Sequence, residues 1–221
     1  MNKVIETPWD ERALGYKTYE VATCDTETLN AIKGLDGHFS IKVPPLVSKE
    51  LLHKHGFYYC DTLLEPVCDR GGFTPVYEQF VSVKQVEQVD TLTPMCRNTF
   101  TYDRFHRDFH IDPEQADQRY VNWLYDIADS GGVLALYYKQ ELAGFFAYHD
   151  ERILLHALKP TFRGRGMAKY FWSEACRHLF SLGHSSLSSS VSAANLPVVN
   201  LYHSLGFTFK EVVDVYHKVQ P

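Results

Sequence analysis

Arg163-Gly164-Arg165-Gly166, followed by Met167 and Ala168, is the stretch with the plainest chemistry in this chain. Two glycines let the backbone turn sharply and approach a ligand closely. A helix starting here presents unpaired backbone N–H groups and the positive end of its dipole. Arg163 and Arg165 add positive charge, so the pattern predicts a phosphate or pyrophosphate site. A tight solvated connection is the plainer alternative for the same letters. Neither GxxxxGK[ST] nor GxGxxG with a ribose-binding acid occurs, so a P-loop or a nicotinamide-binding unit gains no support.

Residues 102–114 are also chemically dense, with Arg104, His106, Arg107, Asp108, His110 and Asp112. His106 and His110 lie four apart with acids nearby, a spacing that suits a metal pair. The interspersed arginines argue instead for an anion or an acceptor entrance, and no metal is expected. Phe73, Tyr77, Phe105 and Trp123 offer rings that either stack on a ligand or pack in the core. Cys24, Cys60, Cys68, Cys96 and Cys176 are widely spaced, odd in number and without CxxC. They are expected to be free thiols.

The elements that must hold these residues follow from apolar spacing and breakers. Residues 153–158 predict a buried strand stopped by Pro160, and a helix follows Gly166 to about residue 182. Residues 133–138 and 142–148 predict a hairpin around Lys139-Gln140-Glu141. Asp112 and Pro113 mark the entry of a helix carrying Tyr120, Trp123, Leu124 and Ile127. Residues 185–191 and 207–216 read as strands, with a short helix over 200–205 closed by Gly206. Earlier, 16–22, 38–43, 57–64 and 77–83 read as strands, 26–32, 46–55 and 95–101 as helices, and 66–76 as irregular; Asp10 reads as a cap. Residues 51–57 and 201–207 both read as a short helix, a stopping glycine and an aromatic strand start. The fold class is α+β, with an incomplete first half (1–85) echoing the second (86–221). Lacking an RGRG turn, the first half is expected to hold no second anion site.

Of 221 residues 45% are hydrophobic, with 14 Tyr and 14 Phe, enough for a sizeable core. A net charge of -5 argues against a general nucleic-acid binder. No run reaches the length of a membrane span, and the first residues lack an apolar leader. A cytoplasmic protein without membrane insertion is expected.

Residues 100–218 resemble the GNAT superfamily of N-acetyltransferases. The turn Arg163, Gly166 and Ala168 matches that family's [Gln/Arg]-x-x-Gly-x-[Gly/Ala], and Asn195, Leu201, Tyr202, Gly206 and Phe207 match its later segment. Val198 stands where alanine is frequent there, with Pro197 before it. The resemblance implies a GNAT fold, a mixed central sheet flanked by helices, with acetyl-CoA as co-substrate. It also implies that the backbone of 163–168 (Arg163, Gly164, Arg165, Gly166, Met167, Ala168) holds the pyrophosphate. Ala157 and Leu158 would line the pantetheine arm, a backbone N–H near Leu158 polarising the thioester. Asn195 would fix the arm or its loop, and Tyr202 would be the general acid. The base is left among His106, Asp108, His149 and His156, or a water chain.

The two-part layout and the segment 104–113 further resemble sugar-nucleotide acetyltransferases of the dTDP-fucosamine type. That resemblance implies a nucleotide-linked deoxyamino sugar as acceptor, with Arg104, His106, Arg107 and Tyr77 at its site; a homodimer is left open. A peptide, polyamine or other small amine is the alternative acceptor, and a non-catalytic acetyl-CoA-binding or interaction module the alternative of another class.

Overall fold

The computed structural model describes residues 3–220. In chain order the elements are β1 (Val4–Glu6), α1 (Pro8–Leu14), β2 (Thr18–Val21), α2 (Thr26–Ala31), β3 (Gly37–Val43), α3 (Glu50–Lys54), β4 (Tyr58–Asp69) and β5 (Val81–Gln85). There follow α4 (Pro113–Asp129), β6 (Val133–Tyr138), β7 (Glu141–His149), β8 (Arg152–Leu158), α5 (Ala168–Ser181), β9 (Ser186–Ser189), β10 (Val191–Ser192), α6 (Leu196–Ser204) and β11 (Thr208–Gln220). Eleven strands share one sheet in the order β1-β2-β3-β11-β4-β9-β8-β7-β6-β5, with β10 beside β4. The expected α+β architecture, a mixed sheet with flanking helices, is therefore present. Among the described residues no helix is long and apolar enough to cross a membrane.

The sheet is symmetric about its β4–β11 ladder. Thr208 faces Val67 and His217 faces Tyr58, so the spans 58–67 and 208–217 run past one another. Outward from His217 lies Ser40 of β3, and outward from Val67 lies Ser188 of β9, both antiparallel. Beyond them Glu20 of β2 pairs with Ser40, and Arg152 of β8 pairs with Ser188, both parallel. The order of partners is the same in either direction. Both central strands follow a short helix and a left-handed glycine, Gly56 at φ +80° and Gly206 at φ +90°. Strand β4 thus pairs with the later β9, and β11 with the earlier β3.

The two parallel ladders differ where they end. Val21 is the last residue of β2, and α2 follows after Asp25. Asp25 caps that helix with its own carboxylate, accepting from Thr28 N–H at 2.9 Å. Hydrogen bonds from Thr23 and then Thr28 hold its carboxyl down at about 2. An anion site at this helix start is occupied by the chain's own acid. In the other half β8 runs on past Ile153, its last paired residue with β9, while β9 turns away through β10 to β4. A wedge opens between β8 and β9.

Helix α5 closes one face of the sheet. Phe171, Trp172, Ala175, Cys176, Leu179 and Phe180 recur at helical spacing and are all buried, against Leu134, Leu136 and Phe146. Truncating one of these aromatics would cost about 3–5 kcal/mol. Helix α4 closes the other face with Tyr120, Val121, Leu124 and Ile127; Asp112 caps it and Pro113 starts it.

Several boundaries differ from the sequence reading. Strand β4 continues through Pro66 to Asp69, because Pro66 sits beside the bulge between Phe209 and Glu211, where a missing N–H is tolerated. Helix α6 starts at Leu196 rather than 200, with Asn195 as cap and Pro197 in its first turn. Helix α3 spans only Glu50–Lys54, since Lys49 folds its ammonium onto the carbonyls of Pro44, Pro45 and Val47. No helix forms over 95–101; a 3-10 turn at Thr93–Met95 precedes turns. Strand β5 lies at Val81–Gln85, later than 77–83. Asp10 is no cap: it lies inside α1, buried and paired with Arg119.

Candidate active site

The turn before α5 is built to receive an anion. Gly164 and Gly166 adopt φ +70° and +68°, which only glycine takes without strain. A Cβ at either would meet nothing within 4 Å, so conformation rather than crowding requires glycine. Helix α5 has no side-chain cap. Among the described residues, the backbone N–H groups of 164–169 have no hydrogen-bond acceptor. Six adjacent donors at a dipole's positive end make an open cradle for a phosphate group.

Arg163 is less mobile than its position suggested. Arg163 donates through Nε to the Leu158 carbonyl (2.8 Å) and through its guanidinium to Thr99 Oγ1 (2.8 Å). It ties the end of β8 to the opposite wall. Arg165 does not line the cavity, and Lys169 does, so Lys169 is the cation that sequence reasoning missed.

One cavity of about 1290 Å³ runs from this turn into the wedge and onward beneath residues 98–105. Small-molecule pockets run to roughly 300–1,000 Å³, so this cavity is larger than a single ligand site usually is. Ala157, Leu158, Gly164, Gly166, Met167, Ala168 and Asn195 line it. Lys159 N–H bonds Ala143 on the β7 side, so by strand alternation Leu158 turns its main-chain groups toward the wedge. Ala157 pairs with Phe145 and offers the wedge no main-chain group. Asn195 accepts from Val198 N–H (3.4 Å) as the cap of α6.

Tyr202 is wholly buried and does not line the cavity. Its hydroxyl bridges the two sides of the wedge. It donates to Ser189 Oγ on β9 (3.0 Å), and that hydroxyl in turn donates to the Ile153 carbonyl (3.0 Å). His156 Nε2 on β8 lies 3.1 Å from the same phenol oxygen. With the phenol proton committed to Ser189, His156 Nε2 carries the hydrogen in this pair. Burial pushes His156 down to about 4, so it is neutral at pH 7, and raises the Tyr202 phenol. Of the pair, His156 faces the cavity.

The far end of the cavity is walled by residues 98–105, and the segment that continues to 112 is pinned at three points. Asn98 N–H and His106 both bond Asp117 on α4. Arg107 bonds Asp61 on β4 (2.7 Å). Asp108 reaches the first half, accepting from His217 Nδ1 (2.8 Å), His38 Nε2 (3.3 Å), Tyr58 (2.9 Å) and His110 N–H (2.9 Å). Burial works to raise the Asp108 carboxyl, but bonds from His217 and His38 outweigh it and hold it far below the usual range. Burial opposes charge on His106 too, yet Asp103 and then Asp117 raise its pKa overall.

Of the four expected acceptor residues, Arg104 lines the cavity. It stacks on Phe105 at 4.7 Å and its buried Nε has no partner. His106 is clamped between Asp103 and Asp117, Arg107 is spent on Asp61, and Tyr77 stands 70% exposed; none of these three lines the cavity. The pairing of His106 with His110 does not form, since His110 bonds Tyr58 instead. Of the other candidate bases, Asp108 is saturated by donors and His149 is exposed.

Sequence reasoning also missed His38 and His217, which join Asp108. Among the described residues they are the one group of His, Cys, Asp and Glu side chains close enough to hold a metal ion. The Asp108 carboxylate is already saturated by its four donors, and this cluster serves as a clamp. Asp61 was missed as well. A bulge at Cys60 puts Cys60 and Asp61 both inward, hiding a buried acid from any alternation test.

Residues 98–207 match the profile of the acetyltransferase (GNAT) family. The spore coat polysaccharide biosynthesis protein SpsD of Bacillus subtilis (strain 168) is 23% identical over 134 residues, 58% of this chain and 46% of SpsD. The chain thus spans about half the length of that curated relative. A GCN5-related N-acetyltransferase from Sphaerobacter thermophilus superposes with a TM-score of 0.65 at 12% identity, covering 99% of this chain and 76% of that one. A tandem GNAT protein from the clavulanic acid biosynthesis pathway superposes with a TM-score of 0.57 at 9% identity, covering 91% and 75%. With its open anion cradle, its wedged sheet and this match, residues 98–207 form a domain of the acetyltransferase (GNAT) family.

Proposed function

We propose that the chain transfers an acetyl group from acetyl-CoA to a primary amine on a nucleotide-linked deoxyamino sugar, directly, within a ternary complex. The observation that carries this reading is the continuity of one cavity from the uncapped start of α5 to the unpaired Arg104. The free amides of 164–169, with Lys169, hold the pyrophosphate. The pantetheine arm lies in the wedge beside β8, and the Leu158 N–H polarises the thioester carbonyl. Tyr202, buried behind the wedge, holds His156 at the cavity, with Ser189 fixing its hydroxyl.

Arg104 binds the acceptor's phosphate in a cavity too roomy for a small amine alone. SpsD, whose name places it in spore coat polysaccharide biosynthesis, agrees with a sugar acceptor. In this reading residues 1–85 are the incomplete copy and 86–221 the catalytic half, and the incomplete copy carries no second CoA, because Asp25 fills its helix start.

The test is acetyl-CoA turnover against dTDP-linked 4-amino-4,6-dideoxyhexoses, 3-amino analogues, spermidine and peptide N-termini. Turnover of the nucleotide sugars with kcat/KM at least a hundredfold above the others is expected. Preference for peptides or spermidine overturns the sugar assignment and favours the alternative acceptors. Tight acetyl-CoA binding without turnover of any amine favours a binding module.

A further inference from the structure

We infer that Asp61 seats the acceptor amine: its Oδ2 accepts an N–H from the nitrogen that is to be acetylated. This rests on the acetyltransferase reading above and names the group that holds its nucleophile.

Asp61 is wholly buried and lines the acceptor part of the cavity. Its two oxygens have different surroundings. Oδ1 accepts from Arg107 (2.7 Å), Ser192 Oγ (2.7 Å) and Thr62 N–H (2.8 Å). Oδ2 is buried and, among the described residues, has no partner. A buried carboxylate oxygen without a donor is expensive, and such groups recur where a ligand supplies what the protein withholds. Asp61 lines the cavity, so a ligand there is the donor nearest to it.

An amine is the donor that fits. It brings two or three N–H bonds, and a fixed negative charge favours its cationic form. The position suits as well. Ser192, which holds Oδ1, sits just beyond the point where β9 leaves β8, three residues before the Asn195 cap of the helix carrying Tyr202. The bulge at Cys60 is what turns Asp61 inward here. Arg107, a third exposed, covers it from the segment that follows the wall.

The charged and titratable groups around Asp61 are Asp103 from the wall, Arg107 from the segment that follows it and Cys60 beside Asp61. Burial raises the carboxyl's pKa, against Ser192 and Arg107, which lower it. A raised carboxyl holds a proton more readily. The acceptor enters as R–NH3+ with one N–H on Oδ2 and gives that proton to Asp61. The freed lone pair attacks the thioester carbonyl carbon; the C–N bond forms and the C–S bond breaks. A second N–H proton ends on the sulfur, leaving R–NH–CO–CH3 and CoA thiol, and Asp61 releases its proton to solvent.

Asp61→Asn tests this. The amide oxygen can still accept from Arg107 and Ser192, while its NH2 group takes the place of Oδ2 and repels an N–H donor. With dTDP-4-amino-4,6-dideoxyglucose as first probe and spermidine as second, kcat/KM for the amine is expected to fall a hundredfold or more. The loss should sit largely in the amine KM, and the acetyl-CoA dissociation constant should stay within twofold by calorimetry. A value within threefold of wild type overturns the inference; Oδ2 then holds a trapped water. Spermidine turnover without sugar turnover would sink the sugar reading and leave this test standing. Should the variant not fold, the Asp61 carboxyl 13C resonance of the wild-type CoA complex decides. It should move on saturation with the amine, and a fixed resonance overturns the inference.

Discussion

Asp108 accepts a hydrogen bond from His217 Nδ1 at 2.8 Å, and both side chains are wholly buried. One residue belongs to the segment that follows the cavity wall 98–105 and the other to β11, which pairs with β3. His38 of β3 and Tyr58 of β4 bond the same carboxylate, so these strands and β11 together hold that segment in place.

This pair gives stability a definite pH dependence. Burial pushes His217 down to about 3 and His156 to about 4. Their unfolded pKa lies near 6.5, so the unfolded chain binds more protons below that pH. The stability they contribute is full above about 6.5 and is lost as pH falls toward 4 and then 3, with a slope of about 1.4 kcal/mol per pH unit for each. His106, raised, works the other way and loses its contribution as pH rises above 6.5. Asp108, lowered, adds its own loss only below about 4. Thermal melting between pH 7 and 4 should show a falling midpoint, and a midpoint that rises over this range would contradict the assignment.

Gly166→Ala should weaken acetyl-CoA binding about tenfold and cost about 1–2 kcal/mol of stability. The added methyl meets no neighbour, but φ +68° is unfavourable for any other residue. Calorimetric titration with CoA and a melting curve check the two parts separately.

Arg104→Ala should raise the KM for a nucleotide-linked acceptor roughly ten- to a hundredfold, the range of one lost charge-assisted phosphate contact at about 1.5–3 kcal/mol. Acetyl-CoA affinity should be unchanged in the same preparation. Equal loss of both would mean that the variant had disturbed the wall rather than a ligand contact.

Tyr202→Phe should leave the acetyl-CoA dissociation constant alone and lower kcat at least tenfold. It should also cost about 1–3 kcal/mol, because Ser189 and His156 lose their shared partner in a buried place. Unchanged turnover would confine Tyr202 to packing.

Much of this arrangement could be read from the letters, for physical reasons. The hairpin of β6 and β7, the strand β8 and the helix α5 carry strong periodicity and clear breakers, and the glycine turn announces its own backbone demand. The echo of residues 51–57 in 201–207 pointed at the symmetric sheet. Side-chain pairing across long separations was not legible. Nothing local marks Asp61, which meets Arg107 and Ser192 from two distant segments, or Asp108, which meets His38 and His217. Arg163 looked like a free cation because its acceptors, Leu158 O and Thr99, are fixed only once the wall is folded over β8.

The crossed placement of β4 and β11 also bears on how the chain is made. Strand β3 finds its outer partner only in residues 214–220, so during synthesis the early segment waits with one edge unsatisfied until those residues emerge. The late segment, in turn, finds β4 already available when β9 is translated. Assembly on the ribosome should therefore proceed from the sheet of β4 to β9 backward, with β1 to β3 the last to lock.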